Sequence, residues 1–354
     1  MIIKDLSNAF GVSGFEEEVR QVAENYVADF ATTRHDKMGN LFINYKNQAT
    51  NDQKVRVLLD AHQDEVGFIV QAIRPNGMLD FLPVGGWVTS NVPAHTVIIR
   101  TRSGQKIKGI TASTPPHFMT DAERKAPLEM DKLVIDVGTS SYDATVALGI
   151  QIGDPVVPDV SFEELQDGSV LLGKAFDCRI GCACLLETMK DFQDQVDESQ
   201  VQIQGVLTTQ EEVGTRGAKV AINQLQADLA IVYEGCPADD TFTADYKIQS
   251  ALTKGPMLRN FDVSMITHPG FQNWAVDLAK DLGIKVQTSV RKGGGTNGSV
   301  YHLANQGIPT IVVGIPVRYA HTHYGFVAYE DFISAKELVL AILAKMTPEI
   351  YDSL

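Results

Sequence analysis

The feature that most constrains the fold is an alternation of nearly continuous apolar runs with segments of helical periodicity. Runs of this kind occur at 55–59, 229–233 and 310–314, and they are typical of a parallel sheet that is covered on both faces. Helical patterns near 180–196 and 330–346 alternate with them, which implies right-handed crossovers. The sequence therefore predicts an α/β protein with a doubly wound mixed sheet.

The pattern of predicted secondary structure changes between about residues 70 and 165. Strand-like runs dominate there, and the Ser103-Gly104 pair is a hairpin signal. We expect a small β-rich, barrel-like domain inserted into the α/β domain. The predicted division is a catalytic domain of residues 1–69 and 166–354 and an insertion of residues 70–165.

Two helix boundaries are predicted from local signals. Ser13 and Glu16 have the spacing of a capping box, and apolar residues recur at helical spacing from there to Tyr26. A helix over 298–305 is predicted to end with Gly307 as its cap, because glycine readily adopts the left-handed conformation found there.

Composition excludes several classes of protein. The chain has 354 residues, of which 44% are hydrophobic and 21% charged, as in a packed globular protein. Its formal net charge of −14 argues against nucleic-acid binding, which depends on stripes of Lys and Arg. No apolar run approaches the roughly 20 residues that cross a bilayer, and the start of the chain does not resemble a signal peptide. With four cysteines and no Cys-x-x-Cys pair, we expect a cytoplasmic protein with reduced thiols.

Two adjacent carboxylates, Glu211 and Glu212, follow the predicted strand 201–208. Side chains on an extended backbone alternate in direction, so the two glutamates cannot share one role. Like charges this close repel each other unless a cation or a proton offsets them. One glutamate can therefore reach into a metal site while the other faces whatever the metal activates. A solvated surface pair is the alternative interpretation.

Other polar residues stand at comparable places in the predicted fold. His62, Glu234 and His321 each follow a predicted strand, and Asp177 precedes a helix. In open α/β sheets, functional groups gather beyond the carboxyl ends of the strands. Histidines and carboxylates suit zinc, cobalt or manganese, and a carboxylate that bridges two ions gives the two-metal hydrolase arrangement.

Each of these residues also has a purely structural interpretation. A single histidine after a strand is often a satisfied core or surface group, although Asp64 could orient the ring of His62. Asp177 could cap the following helix, and Glu234 could be a solvated strand end. The run Gly293–Gly295 is a weak phosphate-loop signal and predicts a tight loop near the active site.

Five runs, in order, resemble the tetrahedral aminopeptidase family, which includes glutamyl aminopeptidases and proteins once labelled endoglucanase M. They are AHQDEVGF (61–68), KAFDCRIG (174–181), QEEVG (210–214), YEG (233–235) and RYAH (318–321). Order and spacing agree along nearly the whole chain, including the β-rich insertion. The resemblance implies an aminopeptidase/phosphorylase-like fold, peptide substrates cut one residue at a time from the N-terminus, and a homo-oligomer between dimer and dodecamer that assembles through the insertion.

The resemblance also implies a site with two divalent metal ions, most simply zinc, with cobalt or manganese as alternatives. His62 and Glu234 would hold one ion, Glu212 and His321 the other, and Asp177 would bridge them. The catalytic residues implied in addition are Glu211, as general base and later proton donor, and Asp64, which would orient His62.

The chain departs from the family pattern at a few positions. Cys178 stands where the family usually has Asp or Asn, Asn297 replaces a frequent Asp, and Glu234 stands at a position that is often Asp. Because none of these changes removes a predicted ligand, we expect an active enzyme. A glutamyl or aspartyl preference would require Arg or Lys in the first pocket, for which the candidates are Arg259, Arg291 and Arg318.

Two further functions stay open from the sequence. One is a carbohydrate-acting, endoglucanase-like hydrolase that uses Glu211 and a second carboxylate without metal. The other is a shell-forming homologue whose activity is impaired by changes such as that at Cys178.

Overall fold

The computed structural model describes residues 1–48, 51 and 53–354. The helices of these residues, in chain order, are α1 (Ile2–Asn8), α2 (Glu17–Val27), α3 (Asp121–Lys125), α4 (Tyr142–Ala147), α5 (Phe176–Phe192), α6 (Arg216–Ala221), α7 (Pro269–Leu282), α8 (Gly298–Tyr301), α9 (Tyr329–Lys345) and α10 (Pro348–Ser353). Among them, none combines the length and the apolar character that crossing a bilayer requires.

The strands belong to a large sheet, a barrel and a small three-stranded sheet. In chain order they are β1 (Ala31–His35), β2 (Leu41–Tyr45), β3 (Val55–His62), β4 (Gly67–Ile73), β5 (Leu79–Val84), β6 (Thr96–Arg100), β7 (Lys106–Ala112), β8 (Val134–Asp136), β9 (Pro155–Pro158), β10 (Glu163–Leu165), β11 (Val170–Gly173), β12 (Val201–Thr208), β13 (Leu229–Pro237), β14 (Met257–Phe261), β15 (Gln287–Val290), β16 (Thr310–Val317) and β17 (Gly325–Ala328).

The large sheet has eight strands in the order β1-β2-β12-β3-β13-β16-β14-β15. Strands β12, β3, β13 and β16 are parallel neighbours, whereas β2 and β14 run antiparallel to the strands beside them in this central group. The prediction of a doubly wound mixed sheet is therefore confirmed.

Both faces of the large sheet are covered, which explains the apolar character of its central strands. On β3, Val57 and Leu59 face one core cluster, to which helices α5 and α9 also contribute. Leu58 points the opposite way into a second cluster, formed with α6 and α8. This is the two-residue alternation of an extended chain, with apolar side chains on both sides because neither face meets water.

The insertion forms a closed barrel in the order β4-β5-β8-β7-β6-β9. Phe68, Val97 and Ile135 are among the buried residues that fill it. The hairpin predicted at Ser103-Gly104 joins β6 to β7, and Gly104 adopts φ 86°, which glycine tolerates without steric cost. The barrel strands run from Gly67 to Pro158.

The helix predicted over 298–305 is shorter than expected. It covers only Gly298–Tyr301, and Gly307 lies beyond its end with φ 94°. Leu303 is 74% exposed, so a longer helix would bury no apolar face at that position. Tertiary packing has therefore overridden the local pattern.

Candidate metal centre

The polar residues that were expected to converge lie at one edge of the large sheet. His62 is the last residue of β3, and Glu211 and Glu212 follow β12 in the next loop. Glu234 lies within β13 rather than after it, because that strand continues in register with β16 beyond the predicted end. Since neighbouring parallel strands bring their carboxyl ends to the same edge of a sheet, these side chains approach one another.

Asp177 lies between the two histidines. One carboxylate oxygen, Oδ1, is 3.0 Å from Nε2 of His62, and the other, Oδ2, is 3.3 Å from Nε2 of His321. The Glu234 carboxylate is 3.3 Å from the same nitrogen of His62, and the Glu212 carboxylate is 3.2 Å from Nε2 of His321. The five side chains thus form two groups, each with one histidine and one glutamate, that share the aspartate.

The backbone at Asp177 explains how the residue reaches this position. It stands in the first turn of α5, where Asp177 and Cys178 both have non-helical backbone angles. The Asp177 carboxylate meets the two histidines, so the interpretation of this residue as a simple helix cap does not describe its contacts.

The chemistry of this cluster fits divalent cations. Burial and the neighbouring Asp177 raise the pKa of Glu212 to about 7, and Oε1 of Glu212 is buried without a hydrogen-bond partner. Although burial opposes the charged ring, Asp177 and Glu212 raise the pKa of His321 to about 11. Carboxylates and imidazoles are ligands for zinc and similar ions, and cations would offset the repulsion among the buried carboxylates.

Asp64 supports the cluster from behind. Its carboxylate accepts hydrogen bonds from the backbone amides of Glu211, at 2.9 Å, and Glu212, at 3.2 Å. It also accepts one from the Ser13 hydroxyl, at 2.6 Å, and lies 3.4 Å from Nδ1 of His62. Sequence reasoning expected only the contact with His62. The structure adds that Asp64 fixes the backbone of both glutamates.

The predicted capping box is wrong, because Ser13 and Glu16 have partners in the site instead. Helix α2 begins at Glu17, and its amides receive no side-chain cap from Glu16. The Glu16 carboxylate accepts hydrogen bonds from the Gly14 amide, at 2.8 Å, and from the Thr209 hydroxyl. Burial and the nearby Asp64 raise the pKa of Glu16 to about 7. The sequence did not reveal Glu16 as a second carboxylate behind the loop of Glu211 and Glu212, because its spacing from Ser13 matched a helix-capping signal.

Glu211 faces a cavity of about 600 Å³ together with both histidines. Burial raises the pKa of its carboxyl well above the usual range, and the nearby charges of Glu234 and Glu212 add to the shift. The same cavity is also lined by Arg259, Arg291, Lys292 and the loop Gly293–Gly295. The glycine loop therefore borders the same cavity, as a tight loop near the active site was expected to do.

All three residues that depart from the family pattern are buried, and besides Glu234 they are Cys178 and Asn297. The Cys178 thiol donates to the Tyr233 carbonyl at 3.3 Å, and its sulfur lies within 4.8 Å of potential ligand atoms of His62 and Glu234. Asn297 donates to Asp60 at 2.9 Å and to the Thr208 hydroxyl at 2.7 Å. Asn297 thereby ties the segment after the glycine loop to strands β3 and β12.

Histidines and carboxylates surround a shared aspartate at the carboxyl edge of the parallel strands. This arrangement in a mixed α/β sheet is typical of the class of metal-dependent hydrolases. Within that class, the family model of M42 glutamyl aminopeptidases matches residues 39–338, and the chain belongs to this family. It is therefore a peptidase of the aminopeptidase type, in a family whose members use divalent metal ions. The resemblance carried by the five sequence runs is confirmed.

Similar proteins cover nearly the whole chain. The glutamyl aminopeptidase of Lactococcus lactis is 32% identical over 98% of this chain and 96% of its own length. A TET aminopeptidase from a marine sediment archaeon of the Thaumarchaeota is 35% identical in sequence. Its crystal structure matches this one with a TM-score of 0.94 over 99% of this chain and 97% of that one. The TET1 peptidase of Pyrococcus horikoshii is 28% identical, with a TM-score of 0.86 over 98% of this chain and 99% of that one.

Proposed function

We propose that this aminopeptidase removes single N-terminal residues from short peptides at a site that holds two divalent cations. The observation that carries the proposal is the Asp177 carboxylate, which presents one oxygen to His62 and the other to His321. His62 and Glu234 would hold one cation, His321 and Glu212 the other, and Asp177 would bridge them. We take zinc as the first candidate, with cobalt and manganese as alternatives, because these ions accept mixed nitrogen and oxygen ligands.

Cations bound in such a pair polarise the scissile carbonyl and make a water molecule easier to deprotonate. Glu211 is placed in the cavity to take the proton from the attacking water and to deliver it to the leaving amine. Its raised pKa, caused first by burial, suits a carboxylate that must hold a proton between those two steps. Asp64 keeps the Glu211 backbone in place through the 2.9 Å hydrogen bond from its amide.

We further propose a preference for an acidic first residue, with Arg259 as its partner. Arg259 lines the cavity and is nearly buried. Its Nη1 pairs with Asp262 at 2.9 Å, but its Nε has no hydrogen-bond partner among the described residues. Arg291 also lines the cavity, but it uses Nη1 for Asp239 at 3.1 Å and Nη2 for the Pro237 carbonyl at 3.2 Å. Arg318 pairs with Asp240 at 2.7 Å outside the cavity wall. A guanidinium with a free donor suits a carboxylate side chain.

The proposed quaternary structure is a homo-oligomer, between a dimer and a dodecamer, that assembles through the insertion of residues 70–165. The related TET1 peptidase of Pyrococcus horikoshii can assemble into a tetrahedron or a large octahedral shell. In this chain the insertion exposes large apolar side chains, including Phe118 at 79% and Ile152 at 70%, which a partner subunit would cover. The four cysteines are free and buried, which supports our proposal of a cytoplasmic location.

The test is an activity panel on cation-loaded and chelated protein. Aminoacyl-nitroanilides of different side-chain classes should be hydrolysed after loading with zinc, cobalt or manganese, with the glutamyl and aspartyl substrates fastest, and chelation should abolish the reaction. Absence of hydrolysis with every cation and substrate would favour an inactive shell-forming homologue. Hydrolysis of a soluble cellulose derivative in the presence of chelator would instead favour a metal-independent glycosidase.

A further inference from the structure

We propose that the inserted barrel supplies part of the cation site, through the segment Gly85–Trp87, which positions the ring of His321. This segment follows β5 of the barrel, whereas the proposed ligands lie on the large sheet, in the loops after its strands and at the start of α5. The inference rests on the proposed function, since it takes His321 as a cation ligand. It adds positioning residues to a domain for which sequence reasoning expected only a role in assembly.

The direct contact is made by the Gly86 backbone. Nδ1 of His321 lies 2.9 Å from the Gly86 carbonyl oxygen. A carbonyl can only accept, so this contact requires a proton on Nδ1, and Nε2 is the nitrogen through which a cation would bind in place of a proton. The same Nε2 faces Asp177 and Glu212. A hydrogen bond to the distal nitrogen commonly fixes the tautomer and orientation of a ligating histidine.

The close approach of the segment Gly85–Trp87 to the loop that carries His321 also explains why Gly85 and Gly86 are glycines. A Cβ added to Gly86 would lie 3.1 Å from Nδ1 of His321, and one added to Gly85 would lie 2.6 Å from Val66 and 3.4 Å from the Cβ of Glu212. Two of the proposed ligands therefore rest against this one segment of the barrel. Only residues without side chains allow the backbone to come this near.

Aromatic stacking holds the same two segments together. The His323 ring stacks on His95 of the barrel, with ring centroids 4.0 Å apart and planes 8° apart, and packs beside Trp87 at 5.1 Å. Trp87 in turn stacks on Phe68 at 4.7 Å and donates to the Gly67 carbonyl at 3.1 Å. His323 is buried, and its ring nitrogens have no close hydrogen-bond partner within the described part of the chain beyond a weak approach of the Val92 backbone. Its ring therefore acts through packing.

The backbone of the His321 loop shows why external support is needed. Tyr319 and His321 both adopt positive φ angles, 64° and 60°, which are unfavourable for residues with a Cβ. Such conformations persist when the surroundings determine them. The loop has its own hydrogen bonds from the Thr322 hydroxyl to the Tyr319 and Tyr324 carbonyls, but the hydrogen-bond partner of Nδ1 of the His321 ring comes from the barrel.

The experiment measures zinc binding to the full-length protein, with free Zn²⁺ set by a chelator buffer and bound metal counted by elemental analysis. Gly86→Ala should displace the His321 ring, and His323→Ala should remove the stack. We expect each to weaken one of the two zinc equilibria by about 10–100-fold and to leave the other unchanged. His323→Phe should behave like the wild type, because it keeps the ring and the nitrogens have no close hydrogen-bond partner.

Three comparisons make the outcome decisive. Val88→Ala is the matched control, since Val88 lies beside the segment and is 62% exposed, and it should bind both ions normally. Loss of both equilibria together in Gly86→Ala and His323→Ala would indicate general damage to the fold and overturn the inference. His321→Ala separates the two proposals: if it loses one zinc while Gly86→Ala and His323→Ala bind normally, only the positioning role fails. If His321→Ala itself retains both ions, the proposed ligand set fails and the inference falls with it.

Discussion

At the scale of single residues, the site depends on carboxylates whose environments differ. Asp64 is surrounded by hydrogen-bond donors, which together with His62 lower its pKa despite burial. Glu211 has neighbouring carboxylates instead, and burial raises its pKa. Environments that separate the pKa values of nearby acids also separate their roles: Asp64 remains an acceptor that holds the loop, and Glu211 can exchange a proton.

Replacing Glu211 with Gln should therefore abolish turnover without emptying the site. We expect Glu211→Gln to lower kcat by roughly 10²–10⁴-fold, the usual contribution of a general base, while the metal content stays near that of the wild type. Steady-state kinetics and elemental analysis on the same preparation test this. Glu337→Gln, on the exposed face of α9, is the control and should change neither quantity. Wild-type turnover in Glu211→Gln would remove this residue from the mechanism.

Arg259 should decide which substrate is preferred rather than how fast the chemistry is. We expect Arg259→Met to lower kcat/KM for a glutamyl substrate roughly 10–100-fold relative to an alanyl substrate, since a hydrogen bond to a charged group contributes about 1.5–3 kcal/mol. The ratio of the two substrates is the measurement, because it cancels any loss of folded protein. Arg102→Met, at an exposed position of the barrel, should leave the ratio unchanged. An unaltered ratio in Arg259→Met would place the first pocket elsewhere.

At the scale of elements, a buried ion cluster joins β3, α1 and α5 behind the site. Lys174 lies 2.5 Å from the Glu65 carboxylate, and Arg179 lies 3.1 Å from it. Arg179 also donates to the carbonyls of Leu6, at 2.7 Å, and Gln63, at 2.7 Å. These carbonyls lie near the end of α1 and in the loop after β3, where Arg179 gives them a buried donor. The cluster therefore holds the segment after His62 against the start of α5.

Neutralising the shared acid of this cluster should destabilise the fold. We expect Glu65→Gln to reduce the free energy of unfolding by about 3–5 kcal/mol, because it leaves two buried cations without a counter-charge. Lys174 limits the loss, since burial already lowers its pKa to about 8 and the ammonium can release its proton. Urea unfolding of the chelated protein measures the change.

The control for that experiment is Glu330→Gln. Glu330 pairs with Lys285 at 3.1 Å, with both side chains more than half exposed, so its loss should cost less than about 1 kcal/mol. Equal unfolding midpoints for the two variants would contradict a stabilising role of the buried cluster.

The elements that could be predicted from the sequence are those with a strong and simple pattern. Strands β3, β12 and β16 were expected to begin where they do, because their apolar runs are buried on both faces of the sheet. The Ser13–Glu16 pair and the helix at 298–305 both matched a local helix signal, and each was wrong for its own reason. The side chains of the pair have partners in distant parts of the chain, Asp64 and Thr209, whereas a longer helix would bury no apolar face at the exposed Leu303.

At the scale of the whole molecule, the proposed ligands could be anticipated because strand ends and residue types both mark them. The contribution of Gly86 could not be, since it is a backbone carbonyl that carries no side-chain signal, and its contact with His321 spans 235 positions of sequence. Ser13 and Glu16 do act through side chains, but their partners Asp64 and Thr209 lie in segments distant in sequence. Sequence patterns show which groups have the right chemistry, whereas the fold determines which groups support them.

Removing the cations should weaken the entire fold, because the site joins segments that are distant in sequence. His62 and Glu234 are buried, Asp177 and Glu212 beside them are partly buried, and without a cation the carboxylates repel one another. A ligand that binds only the folded state stabilises it by about 4 kcal/mol at a thousand times its dissociation constant. We therefore expect chelation to lower the thermal unfolding midpoint by several degrees, and added zinc to restore it in proportion to the logarithm of its free concentration.

Thermal unfolding in zinc buffers tests this, with two double variants as comparisons. His62→Ala combined with His321→Ala should lose the response to zinc, because each proposed cation loses its only nitrogen ligand. His35→Ala combined with His117→Ala removes two exposed histidines and should keep the full response, which excludes adventitious surface binding as its source. If the midpoint of the wild type is the same with chelator and with zinc, the cations do not link the strand ends to the stability of the fold. The paired carboxylates must then be accommodated by protons alone.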